Sequence, residues 1–173
     1  MENFSNSVLL PEALPVIEKK DFNPLEKRYL GLLFIRLVVF ILIVTGGFAA
    51  FLILGDEDIP TLIMILIIGV IAIVFIWSAG ITYFGFPRKG YLVRENDISF
   101  QKGLIVYKLT TVPFNRIQHV EVTQGVLAKV FKLSSIKLFT AGGNASDLSI
   151  PGLAEDTAQK LKEFLSEKIS DHE

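Results

Sequence analysis

His119 is the one histidine in the body of the chain, and it sits in the run "NRIQHVEVTQG", Asn115 to Gly125, among Arg116, Gln118, Glu121 and Gln124. Glu121 follows it by two positions, so on a strand the carboxylate and the imidazole share a face, the arrangement that could tune a general base. Proton transfer needs more than that, and no Ser, Cys or acid motif is set around His119. The residues therefore favour a strand histidine hydrogen-bonded to its neighbours, and the chain is read as non-enzymatic. A metal centre has even less support, because cysteine is absent and the other histidine, His172, is the penultimate residue. Gly142 and Gly143 join strand to strand and lack the helix and lysine of a phosphate loop, so no cofactor is expected.

The elements that must position this run begin with two membrane segments. Hydrophobic residues make up 51% of 173 positions and are concentrated in two blocks. From Leu37 to Leu54 eighteen residues carry no charge and one polar side chain, Thr45; from Ile59 to Trp77 nineteen residues carry only Thr61. Each block approaches the roughly 20 apolar residues that cross a hydrocarbon core. Helices apolar on every side belong in lipid or deep within large proteins, and this chain is too short for the second. Two spans are predicted, over about residues 31–54 and 59–79. They form a hairpin over 29–86 between an N-terminal segment, 1–28, and a soluble domain, 88–170. The first span is not read as a cleavable signal peptide, since about 30 residues precede it and no small-residue cleavage site follows.

Lys19, Lys20, Lys27, Arg28 and Arg36 precede the first span, and Arg88, Lys89 and Arg94 follow the second, whereas the connection "GDED" is acidic. The positive-inside rule then puts both termini of this two-span chain in the cytoplasm, with the acidic connection on the far side. Trp77, Tyr83 and Tyr29 are expected at the cytoplasmic interface, and Arg36 is expected to snorkel to the headgroups. Gly46 with Ala50, and Gly69 with Ala72, suggest close contact between the two helices.

Beyond Gly90 the pattern becomes strand-like. "YLVREN" and "DISFQKG" read as a hairpin turning at Asn96-Asp97, and "GLIVYKLTTVPF" as a further strand opened by Gly103. In the run around His119, Ile117, His119, Glu121 and Thr123 alternate with Gln118, Val120, Val122 and Gln124, and polar groups on both sides suggest an edge strand. A short helix follows, with Val126, Leu127, Val130 and Phe131 on its apolar side and Lys129 and Lys132 on the other. Strands resume at "SIKLFTAGG" and "DLSIPG", and "LAEDTAQKLKEFLSEKI" is an amphipathic helix with Leu161, Phe164, Leu165 and Ile169 inward. An α+β architecture follows: a membrane hairpin, then an antiparallel sheet of six or seven strands curling over a C-terminal helix.

From Arg88 to Thr140 there are nine basic and three acidic residues, and from Ala141 to Glu173 three basic and seven acidic. The half nearer the membrane in sequence is basic, as expected beside an anionic leaflet. Lys102, Lys108, Lys129 and Lys132, with Arg116, are candidates for a lipid-facing basic surface. Nothing in the chain suggests nucleic acid.

The combination "VPFNRIQHVEVTQG", a short helix, "LFTAGG", "IPGL" and a final helix, all after a two-span hairpin, resembles the YdbS-like bacterial pleckstrin-homology (PH) family, a membrane-anchored family of undefined activity. The resemblance runs from about "FNPLEKRYL" to the last helix, and its motif positions here are Arg116, Gln118, His119, Gly142 and Gly143. It implies a bent antiparallel sheet capped by the C-terminal helix, in a multi-pass protein of the bacterial cytoplasmic membrane with the folded domain on the cytoplasmic side. Eukaryotic PH domains that bind phosphoinositides use basic residues in the first hairpin loop, whereas "REND" here is mixed in charge. The sequence thus supports a scaffold or interaction module that binds a protein partner or a second copy. The alternative is weak recognition of anionic lipid headgroups by the basic face.

Overall fold

The computed structural model describes residues 21–54, 60–140 and 147–170. Gly142 and Gly143, the acidic 55–59 connection, Lys19, Lys20 and His172 lie outside them. In chain order the elements are β1 (Asn23–Pro24), α1 (Lys27–Leu54), α2 (Thr61–Gly85), a 3-10 turn (Phe86–Arg88), β2 (Gly90–Val93), β3 (Asp97–Lys102), β4 (Lys108–Pro113), a second 3-10 turn (Phe114–Arg116), β5 (Ile117–Thr123), α3 (Val126–Val130), β6 (Leu133–Thr140), β7 (Leu148–Ala154) and α4 (Glu155–Ser170). Both α1 and α2 are long and apolar enough to cross a membrane. The soluble part is an antiparallel α+β fold with its C-terminal helix packed on β5, β6 and β7.

The strands form two sheets, β1-β2-β3-β4 and β5-β6-β7, instead of one continuous sheet. The 3-10 turn at Phe114–Arg116 makes the corner, and the fully buried Phe114 ring anchors it edge-on to Phe164 of α4. The smallest strand has the largest consequence. Asn23 and Pro24 pair with Tyr91 and Gly90, so β1 and β2 are the first strand pair and the membrane hairpin is their connection. "REND" is the second turn of this sheet, closed by the two-pronged Arg94–Asp97 pair. Two residues ending in proline give no hydrophobic alternation that could have revealed β1.

α1 is also part of the domain. Its 28 residues reach about 42 Å, against a hydrocarbon core of about 30 Å. The excess lies at the start, where Tyr29 and Leu32, with Leu25 just ahead, are buried among Ile98, Leu153 and the rest of the domain core. Gly152 closes this joint. Its carbonyl accepts from the Glu26 amide at 3.0 Å, its φ is +68°, and the space a Cβ would fill is taken by the Tyr29 ring. Tyr29 is therefore a core residue rather than an interface aromatic, and a boundary at 28/29 runs through packed structure. Trp77 and Tyr83 are exposed along α2.

Three further expectations change. A Cβ on Gly46 or Gly69 would meet nothing within 4 Å, so these residues do not mediate a tight helix crossing. Residues 103–107 form a loop, and the strand begins only at Lys108. Leu127 and Ala128 of α3, and Phe131 just after it, pack inward, but Val126 and Val130 are 86% and 75% exposed. Five residues are too few to define one apolar face.

Candidate interaction site

The registers of the sheets sort the candidate residues by height above the helices. Lys102 pairs with Lys108 at the end where α2 enters, and Asp97 pairs with Pro113 at the opposite end. The Phe114 amide donates to the Asn96 carbonyl there, so Arg116 and the start of β5 lie at the end distal to the helices. Arg116 consequently does not join Lys102 and Lys108 in one basic face. Lys129 and Lys132 flank Val130 and Phe131; the Phe131 ring lies against Gly31 of α1, and its carbonyl accepts from Arg28. They form a second proximal group beside α1.

At the distal end, β5 is an edge strand, as its polar pattern suggests. A bulge shifts the register between Ile117, opposite Thr140, and His119, opposite Phe139. Gln118 is the extra residue. The bulge breaks the strict alternation read from the sequence: Ile117 and Val120 both turn into the core, and Gln118 and His119 both remain exposed. His119 lies 5.7 Å from the Phe139 ring, centroid to centroid. Glu121 pairs across the ladder with Lys137 at 3.9 Å, not with His119. Arg116 at the corner and Gln118 and His119 on the bulge thus form a short exposed polar rim, flanked by Ile117 and Val120, which are locked into the core. Among the described residues no group of three or more His, Asp or Glu is placed to hold a metal.

The proximal end holds residues that sequence reasoning missed. Arg88 donates to the Leu104 carbonyl at 3.1 Å, and the Lys89 ammonium sits 5.8 Å above the Tyr29 ring. Burial and then the charge of Lys102 hold Lys89 below the ordinary lysine pKa. Arg88 and Lys89 therefore sit with Lys102 and Lys108 around the 103–107 loop. A glycine followed by four apolar residues between two lysines, "KGLIVYK", was the available signal, masked by its β-branched composition.

This arrangement of strands, corner and capping helix agrees with a family comparison: the bacterial PH domain family matches residues 30–169, and the chain belongs to it. Its curated relatives include the transmembrane protein YdbS of Bacillus subtilis (strain 168), 34% identical over 103 residues. The match covers 57% of this chain and 63% of that relative. A second is the transmembrane protein YdbT of the same organism, 24% identical over 99 residues, covering 57% of this chain and 20% of the relative. The chain thus spans less than two thirds of either curated relative. No solved structure gives a significant match.

Proposed function

We propose that this chain is a non-enzymatic interaction module of the bacterial cytoplasmic membrane, with both termini cytoplasmic. Its distal rim docks a protein partner or a second copy. The observation that carries the reading is the β5 bulge, which leaves Gln118 and His119 both exposed on an edge strand, next to the exposed Arg116 of the corner, at the end farthest from the helices. The mount supports it as well. Leu25, Tyr29 and Leu32 bind the start of α1 into the core, so the rim is held at a set height over the membrane. The surroundings of His119, with the Phe139 ring beside it and the Glu121 carboxylate turned to Lys137, suit holding a partner better than moving a proton.

A photo-crosslinking residue at Gln118 of the full-length protein in its membrane tests this. One discrete product, a stoichiometric partner or a dimer, is expected from Gln118 and not from the same probe at Lys160 on α4. No product, or the same products from both positions, would refute it. The basic-face alternative draws its support from the proximal cations.

A further inference from the structure

The 103–107 loop is unlike the other connections of the domain. Ile105, Val106 and Tyr107 are 74%, 77% and 57% exposed, a row of apolar side chains that a water-facing turn would not carry. Gly103 gives the loop a defined shape. Its φ is +119°, and a Cβ there would lie 1.8 Å from the Val106 carbonyl oxygen, so the chain folds back on itself at that point. Leu104 packs beside Gly85 at the end of α2. Between loop and helix runs a groove of about 470 Å³, walled by Ile73, Trp77, Ile81 and Phe84 on one side and Leu104 and Ile105 on the other. This groove continues the apolar surface of α2.

Its cytoplasmic mouth has the opposite character. A second hollow of about 520 Å³, sharing Leu104 and Ile105 with the groove, contains Arg88, Gln101 and Tyr107. A third, of about 360 Å³, shares Leu104 and Ile81 and contains Lys89, Lys102 and Lys108. Four cations therefore surround the loop; of the acidic residues around the sheet, Glu95 and Asp97 lie at the far turn, where Asp97 is paired with Arg94, and Glu26, at the near end after β1, is paired with Arg28. Lys89 and Lys102 repel each other, a penalty that an anion between them would relieve.

The geometry points to a phospholipid site in which an acyl chain lies in the groove between α2 and the 103–107 loop, and an anionic headgroup is held at its mouth by Arg88, Lys89, Lys102 and Lys108. The occupant is a lipid of the surrounding leaflet because the groove opens along the helix face that would meet the bilayer and has its cations at one end only. The inference rests on the reading that α2 spans the membrane with the domain on the cytoplasmic side, and it is independent of the distal rim. It makes the loop a second attachment that fixes the domain against the leaflet.

Trp77 is the single tryptophan of the chain and lines the groove, so it reports occupancy directly. The full-length protein in phosphatidylcholine nanodiscs is titrated with brominated phosphatidylglycerol or brominated phosphatidylcholine, and Trp77 fluorescence is followed. Phosphatidylglycerol should reach half-quenching at a mole fraction lower by about tenfold or more. The exposed pair Lys102→Gln, Lys108→Gln should remove that preference, and Ile81→Trp is avoided because it would add a second fluorophore. Added inorganic phosphate should not reverse the quenching; reversal would show a headgroup site without a chain and overturn the proposal. Coincident curves for the two lipids overturn the site while leaving the membrane placement intact, and quenching by neither overturns both. A cysteine at Ile105 that crosslinks to a second copy would assign the groove to self-association and overturn the lipid.

Discussion

Gly152→Ala should weaken the joint between membrane helix and domain, and its cost can be worked from the backbone and from Tyr29. Gly152 has φ +68°, a left-handed conformation that disfavours alanine by about 1–2 kcal/mol. The new methyl would lie 2.3, 2.5 and 2.7 Å from three carbons of Tyr29, so the ring must also move, and overpacking of this kind costs about 1–3 kcal/mol. The total is about 2–5 kcal/mol, a large fraction of the roughly 5–15 kcal/mol that holds a domain folded. Pulse proteolysis of the full-length protein across a urea series measures it. A double-mutant cycle with Tyr29→Ala isolates the cause, because once the ring is gone the methyl meets little. Gly152→Ala should then cost about 1–3 kcal/mol less in the Tyr29→Ala background than in wild type. A single-mutant cost below about 0.5 kcal/mol, or strict additivity, would refute the reasoning.

Two further expectations concern the β6–β7 turn and the β5 rim. Asp147 accepts hydrogen bonds from the Thr140 hydroxyl and amide, which hold its carboxyl below the ordinary aspartate value. A depressed folded pKa means that this contribution is present above about pH 4 and is lost as pH falls through the folded value. The stability gap between wild type and Asp147→Asn should therefore close in acid, and a gap that widens below pH 4 would contradict the pairing. His119→Ala removes one exposed ring contact and should cost under about 1 kcal/mol of stability while abolishing the Gln118 crosslink. A loss above about 2 kcal/mol would mean that His119 holds the fold together instead of facing a partner.

The elements with one dominant signal were legible in the sequence. Two helices apolar on every side announce themselves by hydropathy, and α4 does so by its period, with Leu161 and Leu165 buried as its pattern requires. β5 was legible as an edge strand, but its bulge was not. The extra residue, Gln118, is polar and is compatible with either face until the partner strand fixes the register. The joint at α1 was hidden for a different reason. Leu25, Tyr29 and Leu32 repeat at helical spacing with Lys27 and Arg28 exposed between them, but this amphipathic turn runs directly into a continuous apolar segment and reads as its beginning. The proximal cations were legible as separate basic residues and not as a cluster, because Arg88 and Lys89 meet Lys102 and Lys108 only through the pairing of β2, β3 and β4.

The proposed function requires a fixed mount: Leu25, Tyr29 and Leu32 join the start of α1 to the domain core, and a domain held in this way should not swing over the membrane. The chain has no cysteine, so two can be introduced for spin labels, at Lys160 on α4 and at Ile53 near the far end of α1. Pulsed electron resonance on the full-length protein in nanodiscs then reads the distance between them. A single narrow distribution, broadened by Gly152→Ala, is the predicted result. A broad or multi-peaked distribution in the otherwise unaltered chain would contradict the account.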